Sequence, residues 1–122
     1  MAARVADTSV LAALLFREPR ADQAELLLAD ARLYEPPLLA YELARVCRKK
    51  SLRYPSIERE LLNALKLGLT LDIQWVEVDQ VAVVELAVSR DLTTYDASFL
   101  WVSRTLGIPL LTFDEQLRAV TD

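Results

Sequence analysis

Apolar and polar positions along this chain fall into blocks that switch between a strand-like run and a helix-like period. Arg4-Val5-Ala6 is a short, mainly apolar entry that stops at Asp7. Beyond it Val10, Leu11, Leu14 and Leu15 recur at helical spacing, so the pattern predicts a strand and then a helix. Ala24, Leu27 and Leu28 give residues 20 to 30 the same helical signature, and Arg32-Leu33-Tyr34-Glu35 reads as a second short strand before Pro36-Pro37. Proline is tolerated in a first helical turn, so Pro37 opens a predicted helix that passes through Glu42 to about Lys50. Pro55 and Ser56 open another, which carries Ile57, Leu61, Leu62 and Leu65 and fades near Gly68.

Ile73, Trp75, Val76 and Val78 predict a third strand. Asp79 then caps a helix through Val83, Leu86 and Ala87, and Thr93 or Thr94 caps the next, which ends near Gly107. Ile108 to Phe113 reads as a fourth strand, and a short helix from Glu115 to Val120 follows. Strands that alternate with helices predict the α/β class, with a mostly parallel sheet covered by helices. No linker, internal repeat or low-complexity tract interrupts the chain, so residues 1–122 read as a single domain.

Composition narrows the chemistry. The chain has no histidine, which excludes Ser-His-Asp and Cys-His nucleophilic sites. A lone cysteine, Cys47, forms no internal disulfide and leaves a Cys/His zinc site without ligands, as expected of a reducing cytoplasm. With Gly68 and Gly107 as its glycines, the sequence holds neither a Walker loop nor a dinucleotide fingerprint. Neither a signal peptide nor a membrane-spanning apolar stretch is present, so neither secretion nor membrane insertion is expected. The net charge of −4 argues against general attachment to nucleic acid, but Arg45, Arg48, Lys49, Lys50 and Arg53 form an acid-free stretch suited to local contact.

Carboxylate chemistry remains, and its positions are suggestive. In an open parallel sheet, ligands bind beyond the carboxyl ends of the strands. Asp7 and Asp114 end apolar runs, and Asp96 follows the polar turn Leu92-Thr93-Thr94-Tyr95. Glu42 lies beside the apolar face marked by Leu38, Leu39 and Val46, where a carboxylate is costly unless it is paired or binds a cation. Four converging acids would repel one another until protons, basic side chains or a hard cation such as Mg²⁺ or Mn²⁺ offset the charge. Each acid also has an ordinary explanation. Asp7 and Asp114 are good N-caps, Thr93 and Asp96 resemble a capping box, and Glu42 is spaced to pair with Arg45. The basic stretch suits a solvated helix end, and Trp75, Trp101, Phe99 and Tyr95 read as core or interface residues rather than stacking platforms.

The joint arrangement resembles a known family. Val5-Ala6-Asp7-Thr8-Ser9-Val10-Leu11 is similar to the first motif of PIN-domain nucleases, particularly the VapC toxins of prokaryotic toxin–antitoxin pairs. Leu92-Thr93-Thr94-Tyr95-Asp96-Ala97-Ser98-Phe99-Leu100 and Gly107-Ile108-Pro109-Leu110-Leu111-Thr112-Phe113-Asp114 resemble the third and fourth motifs, and Leu39-Ala40-Tyr41-Glu42-Leu43 resembles the helix that carries the family glutamate. The resemblance implies a PIN-like three-layer sandwich around a four- or five-stranded sheet. Many relatives continue past the fourth motif into a further strand, whereas this sequence stops at Asp122, which leaves one sheet edge less protected.

The same resemblance implies a metal-dependent endoribonuclease with Asp7, Glu42, Asp96 and Asp114 as its acidic site. Asp7, Asp96 and Asp114 would bind Mg²⁺ or Mn²⁺ mainly directly, and Glu42 would bind a second ion or orient the attacking water. Thr8, Ser9 and Thr112 fall where supporting hydroxyls are expected, and Arg45, Arg48 and Lys49 would hold flanking phosphates of an RNA, with transfer or ribosomal RNA suiting a toxin. A cognate antitoxin and a homodimer are the implied protein partners. Two competitors stand beside this expectation: a binding or scaffold module with the same fold and no turnover, and a Mg-dependent phosphoryl-transfer domain of the receiver or haloacid dehalogenase type. The latter lacks its late lysine here, since none follows Lys66.

Overall fold

A computed structural model describes residues 1–121. Strand β1 (Ala2–Ala6) leads through Asp7 into α1 (Thr8–Leu15), followed by α2 (Ala21–Leu28), β2 (Ala31–Glu35) and α3 (Leu38–Arg53). A 3-10 turn at Pro55–Ile57 introduces α4 (Glu58–Leu69), after which come β3 (Ile73–Trp75), α5 (Gln80–Arg90), α6 (Thr94–Leu106), β4 (Leu110–Leu111) and α7 (Glu115–Arg118). The strands form one sheet in the order β3-β2-β1-β4, with parallel pairing throughout. The expected α/β class and four-stranded sheet flanked by helices are both present. No fifth strand occurs among the described residues.

Two strands are shorter than the apolar pattern predicts. The β3 ladder ends at Trp75 because its partner β2 runs into Pro36. Val76 makes one last bond to the Glu35 carbonyl, at 2.8 Å, before Val78 leaves for α5. Only Leu110–Leu111 of the expected Ile108–Phe113 strand is regular. Pro109 has no N–H to donate, although its carbonyl accepts from Val5 at 2.9 Å, and Thr112 turns its side chain to Asp7. Helix α3 starts one residue after Pro37, which occupies the N-cap, and continues past Lys50 to Arg53.

Helices α1 to α4 pack among themselves, with α1 also on β1. Helix α5 pairs with α6, and α6 lies against β1, β2 and β4. The core joins Val5 and Ala6 of β1 to Val10 and Leu11 of α1, Leu39 and Leu43 of α3, and Phe99 and Val102 of α6. Val83, Ala87 and Ala97 make a smaller cluster between α5 and α6. Helices α1 and α4 approach closely at Gly68, where a Cβ would stand 2.4 Å from Leu15 Cδ1 and that side chain would have to shift. Gly107 ends α6 in the left-handed conformation, φ +67°, where glycine avoids the Cβ penalty. Among the described residues no helix is long and apolar enough to cross a membrane.

Candidate active site

Asp7 leaves the end of β1 just as the chain turns into α1. Its amide donates to Leu111 O at 3.0 Å, which anchors the β1 end to β4. Its carboxylate caps the helix by accepting from Val10 N at 3.3 Å, and it also accepts from Ser9 Oγ at 2.6 Å and Thr112 Oγ1 at 2.5 Å. The hydroxyls bridge onward. Ser9 Oγ accepts from Phe113 N at 3.1 Å, and Thr112 Oγ1 accepts from Asp114 N at 3.0 Å. The first and last acidic segments are thereby tied together across the β1–β4 pair. Asp114 in turn caps α7 by accepting from Leu117 N at 2.9 Å.

Glu42 reaches the same place from α3. Its Oε1 accepts from Thr8 Oγ1 at 2.5 Å, and among the described residues it makes no ion pair with Arg45, contrary to the pairing its spacing allows. Asp96 enters from the first turn of α6, where Thr93 Oγ1 accepts from its amide at 3.1 Å. Asp7, Thr8, Ser9, Glu42, Arg45, Asp96 and Asp114 all line one cavity of about 180 Å³. The four acids thus meet on one pocket, and each of the three expected hydroxyls bonds to an acid or bridges between two.

The electrostatics of the pocket are unfavourable as it stands. Only 5% of Asp7 is exposed, and burial raises its pKa above the ordinary carboxylate value despite the bonds from Ser9 and Thr112 that oppose the rise. Asp96 is raised by burial first and then by the charges of Asp114, Asp7 and Glu42. All donors are oxygens, the set that suits a hard divalent cation, and a cation there would relieve the repulsion. Among the described residues, however, no three acidic side chains stand close enough together to hold one ion. Joint direct ligation by Asp7, Asp96 and Asp114 therefore needs side-chain rotation, beginning with Asp114, whose carboxylate is turned toward its cap, while the Asp7 oxygens keep lone pairs beside their hydroxyl partners.

The basic residues separate. Arg45 lines the acidic pocket, while Lys49 lines a neighbouring cavity with Lys50, Arg53 and Tyr54. Arg48 is exposed and lines neither, because its position on α3 carries it away from both. The aromatic residues separate as well. Phe99 is in the core, whereas Trp75 and Tyr95 are exposed, which leaves them only the interface half of the core-or-interface reading.

One buried acid escaped the sequence reading. Glu35 at the end of β2 is fully buried, and its Oε2 accepts from the Ala6 amide at 2.8 Å. Its Oε1 has no partner among the described residues. Burial raises its pKa well above the ordinary glutamate value, and the Asp7 charge adds to the rise. The β1–β2 ladder ends at Arg4 and Leu33, so without Glu35 the buried Ala6 amide would lose its acceptor. The signal was available: side chains two apart on a strand share a face, and Leu33 is a core residue.

Fold and site together define an α/β domain with a carboxylate pocket at the carboxyl ends of parallel strands. The chain belongs to the PIN domain family, whose pattern its residues 4–122 match. It is 34% identical over 119 residues to ribonuclease VapC3 of Pyrobaculum aerophilum, an alignment covering 93% of this chain and 90% of that one. The crystal structure of PAE2754 from the same organism superposes with a TM-score of 0.77 at 26% identity, over 97% of this chain and 84% of that one. VapC20 of Mycobacterium tuberculosis, described as a sarcin-ricin loop cleaving toxin, superposes with a TM-score of 0.71 at 22% identity, over 95% of this chain and 93% of that one. VapBC2 from Rickettsia felis, bound to a DNA fragment from its promoter, gives 0.69 at 12% identity, over 97% of this chain and 92% of that one.

Proposed function

We propose that this chain acts as one domain, a metal-dependent endoribonuclease that is the toxin of a type II toxin–antitoxin pair. The observation that carries the proposal is the convergence of Asp7, Glu42, Asp96 and Asp114 on one pocket, where Asp96 is destabilised as an anion by burial first and then by the other three acids. The 34% identity to a protein named as a ribonuclease supports RNA as the substrate class.

Mg²⁺ or Mn²⁺ held by Asp7, Asp96, Asp114 and Glu42 would polarise the phosphodiester, activate a water and offset the charge on the leaving oxygen. The residues of the chain supply the rest. Ser9 and Thr112 hold the Asp7 carboxylate, and Thr8 holds Glu42, so that two acids are oriented before substrate arrives. Glu42 orients the attacking water and takes its proton. The new P–O bond forms as the P–O3′ bond breaks, and O3′ takes up a proton from bulk water, leaving a 5′-phosphate and a 3′-hydroxyl, after which Glu42 releases its proton to solvent. Arg45, beside the acids, anchors the phosphate next to the scissile one, and Lys49 serves a phosphate farther along.

Apolar side chains support the protein partners. Leu26 and Leu27 on α2, Leu62 and Leu67 on α4, and Val81, Val84 and Val88 on α5 are exposed, and each helix offers apolar side chains that an antitoxin or a second copy would cover. We place the protein in the cytoplasm, in keeping with its single buried thiol.

The test is a titration of Mn²⁺ and Mg²⁺ into the wild type and an Asp96→Asn variant, following thermal stability and cleavage of a mixed transfer RNA pool. A ligand at about 100 times its dissociation constant stabilises the folded state by about 2.7 kcal/mol. Wild-type stabilisation and cleavage, both weakened in the variant, support the proposal. Absence of any metal effect returns the acids to capping roles and puts the binding module first.

A further inference from the structure

Glu42 and Arg45 line a second cavity as well as the carboxylate pocket. It measures about 430 Å³, and its remaining walls are Leu38, Tyr41 and Tyr95. That volume lies within the roughly 300–1,000 Å³ of ligand sites. Both tyrosines directly precede a site carboxylate, Tyr41-Glu42 on α3 and Tyr95-Asp96 on α6. Neighbouring residues on a helix project about 100° apart. Each helix therefore presents an acid to one opening and an aromatic ring to the next.

The two rings are not core residues. Tyr41 is 76% exposed and Tyr95 60%, and among the described residues neither hydroxyl makes a hydrogen bond. Arg45 stands between the two cavities with no ion pair and no cation–π contact among the described residues. A cation flanked by an acidic pocket on one side and exposed rings on the other matches the order of groups along a single strand, where phosphate alternates with base.

We infer that the Tyr41–Tyr95 cavity is a nucleobase subsite, in which the rings stack an unpaired base of a nucleotide flanking the scissile phosphate while Arg45 holds the phosphate between the two cavities. The inference rests on the ribonuclease proposal and deepens it. Stacking on tyrosine requires a base already free of a duplex, so the substrate class is a single-stranded loop or end. Stacking engages the π-face that every base has, so the subsite contributes affinity with little preference among bases.

The experiment measures binding of a ten-nucleotide oligoadenylate RNA and of an abasic strand of equal length by fluorescence anisotropy, in an Asp96→Asn background that leaves the probe intact. Stacking of a base is worth enough that Tyr41→Leu and Tyr95→Leu should each weaken oligoadenylate binding about tenfold. Tyr41→Phe and Tyr95→Phe should stay within about twofold, since the ring remains, and neither class of variant should alter abasic binding. Unchanged oligoadenylate affinity in the leucine variants overturns the subsite alone, as does an equal loss on the abasic strand. A parent protein that binds neither probe overturns the ribonuclease proposal and the subsite together. Light scattering that shows a dimer lost in the leucine variants, with RNA affinity intact, assigns the rings to a second copy and also overturns the inference.

Discussion

Asp7 at the start of α1 and Asp79 at the start of α5 occupy the same local position. Each has extended backbone, and each accepts a hydrogen bond from the amide three residues on, Val10 at 3.3 Å and Ala82 at 3.2 Å. Their surroundings differ. Asp79 is exposed, and its carboxylate has the cap as its recorded bond. Asp7 is buried at the sheet end, where Ser9 and Thr112 bond it and three further acids share its pocket. Capping and site chemistry are therefore not alternatives. What separates the two aspartates arrives from elsewhere in the chain.

The strongest way to break this comparison is to make the same substitution at both positions. Asparagine caps a helix as well as aspartate does, so Asp79→Asn should leave RNA cleavage and Mn²⁺ stabilisation within about twofold of wild type. Asp7→Asn should lower cleavage by about 10³-fold, or about 4 kcal/mol of transition-state stabilisation, and weaken the Mn²⁺ effect. Equal behaviour of the two variants would show that burial and neighbours do not distinguish the sites.

A pH titration of stability sharpens the same contrast, with metal removed by a chelator. Glu35 has its folded pKa raised above the ordinary value of 4.5, so the folded state holds its proton more tightly than the unfolded state does. Its stabilising contribution is complete below pH 4.5 and is lost as pH rises toward the folded value. Asp7 and Asp96 act in the same direction from 3.8 upward. Wild-type stability should accordingly fall as pH rises above 4.5, and Glu35→Gln should flatten the fall while its carbonyl keeps the Ala6 bond. Chemical denaturation at several pH values measures it, and an unchanged slope in the variant would assign the dependence to other groups.

The smallest effect is expected at the ordinary cap. Asp79→Ala should cost about 1 kcal/mol of stability by removing the acceptor for Ala82 N, with cleavage unaffected. Denaturant unfolding of the metal-free protein checks this.

Much of the molecule was legible in the residues. Helix starts followed cap chemistry, with Asp79, Thr93 and Asp114 each bonded at the predicted place. That the four acids and their hydroxyls would meet in one place was also legible, through the resemblance rather than through spacing. Glu35 was placed on the second strand but given no role, because burial of a strand-end acid depends on neighbours that only the sheet supplies. Arg48 and Lys49 looked equivalent to Arg45 in one basic stretch, but helical rotation places only Arg45 on the acidic pocket. Tyr95 read as a core or interface residue because its sequence neighbours are apolar, and its exposure removes the core half of that reading.

By itself, the amino-acid sequence determined the alternation of strands and helices, the exclusion of histidine chemistry, and the identity of the groups available to a site, because periodicity, caps and composition are local properties. Only the tertiary structure decided which groups meet. Thr112 bonds Asp7 from 105 positions away, Glu42 meets Thr8 across 34, and Glu35 serves Ala6 across 29. The first and third close through parallel strand pairing and the second through packing of α3 on α1, both of which join segments remote in the chain. The energetic character of each carboxylate follows from that closure, since burial and neighbouring charge are absent until the sheet forms.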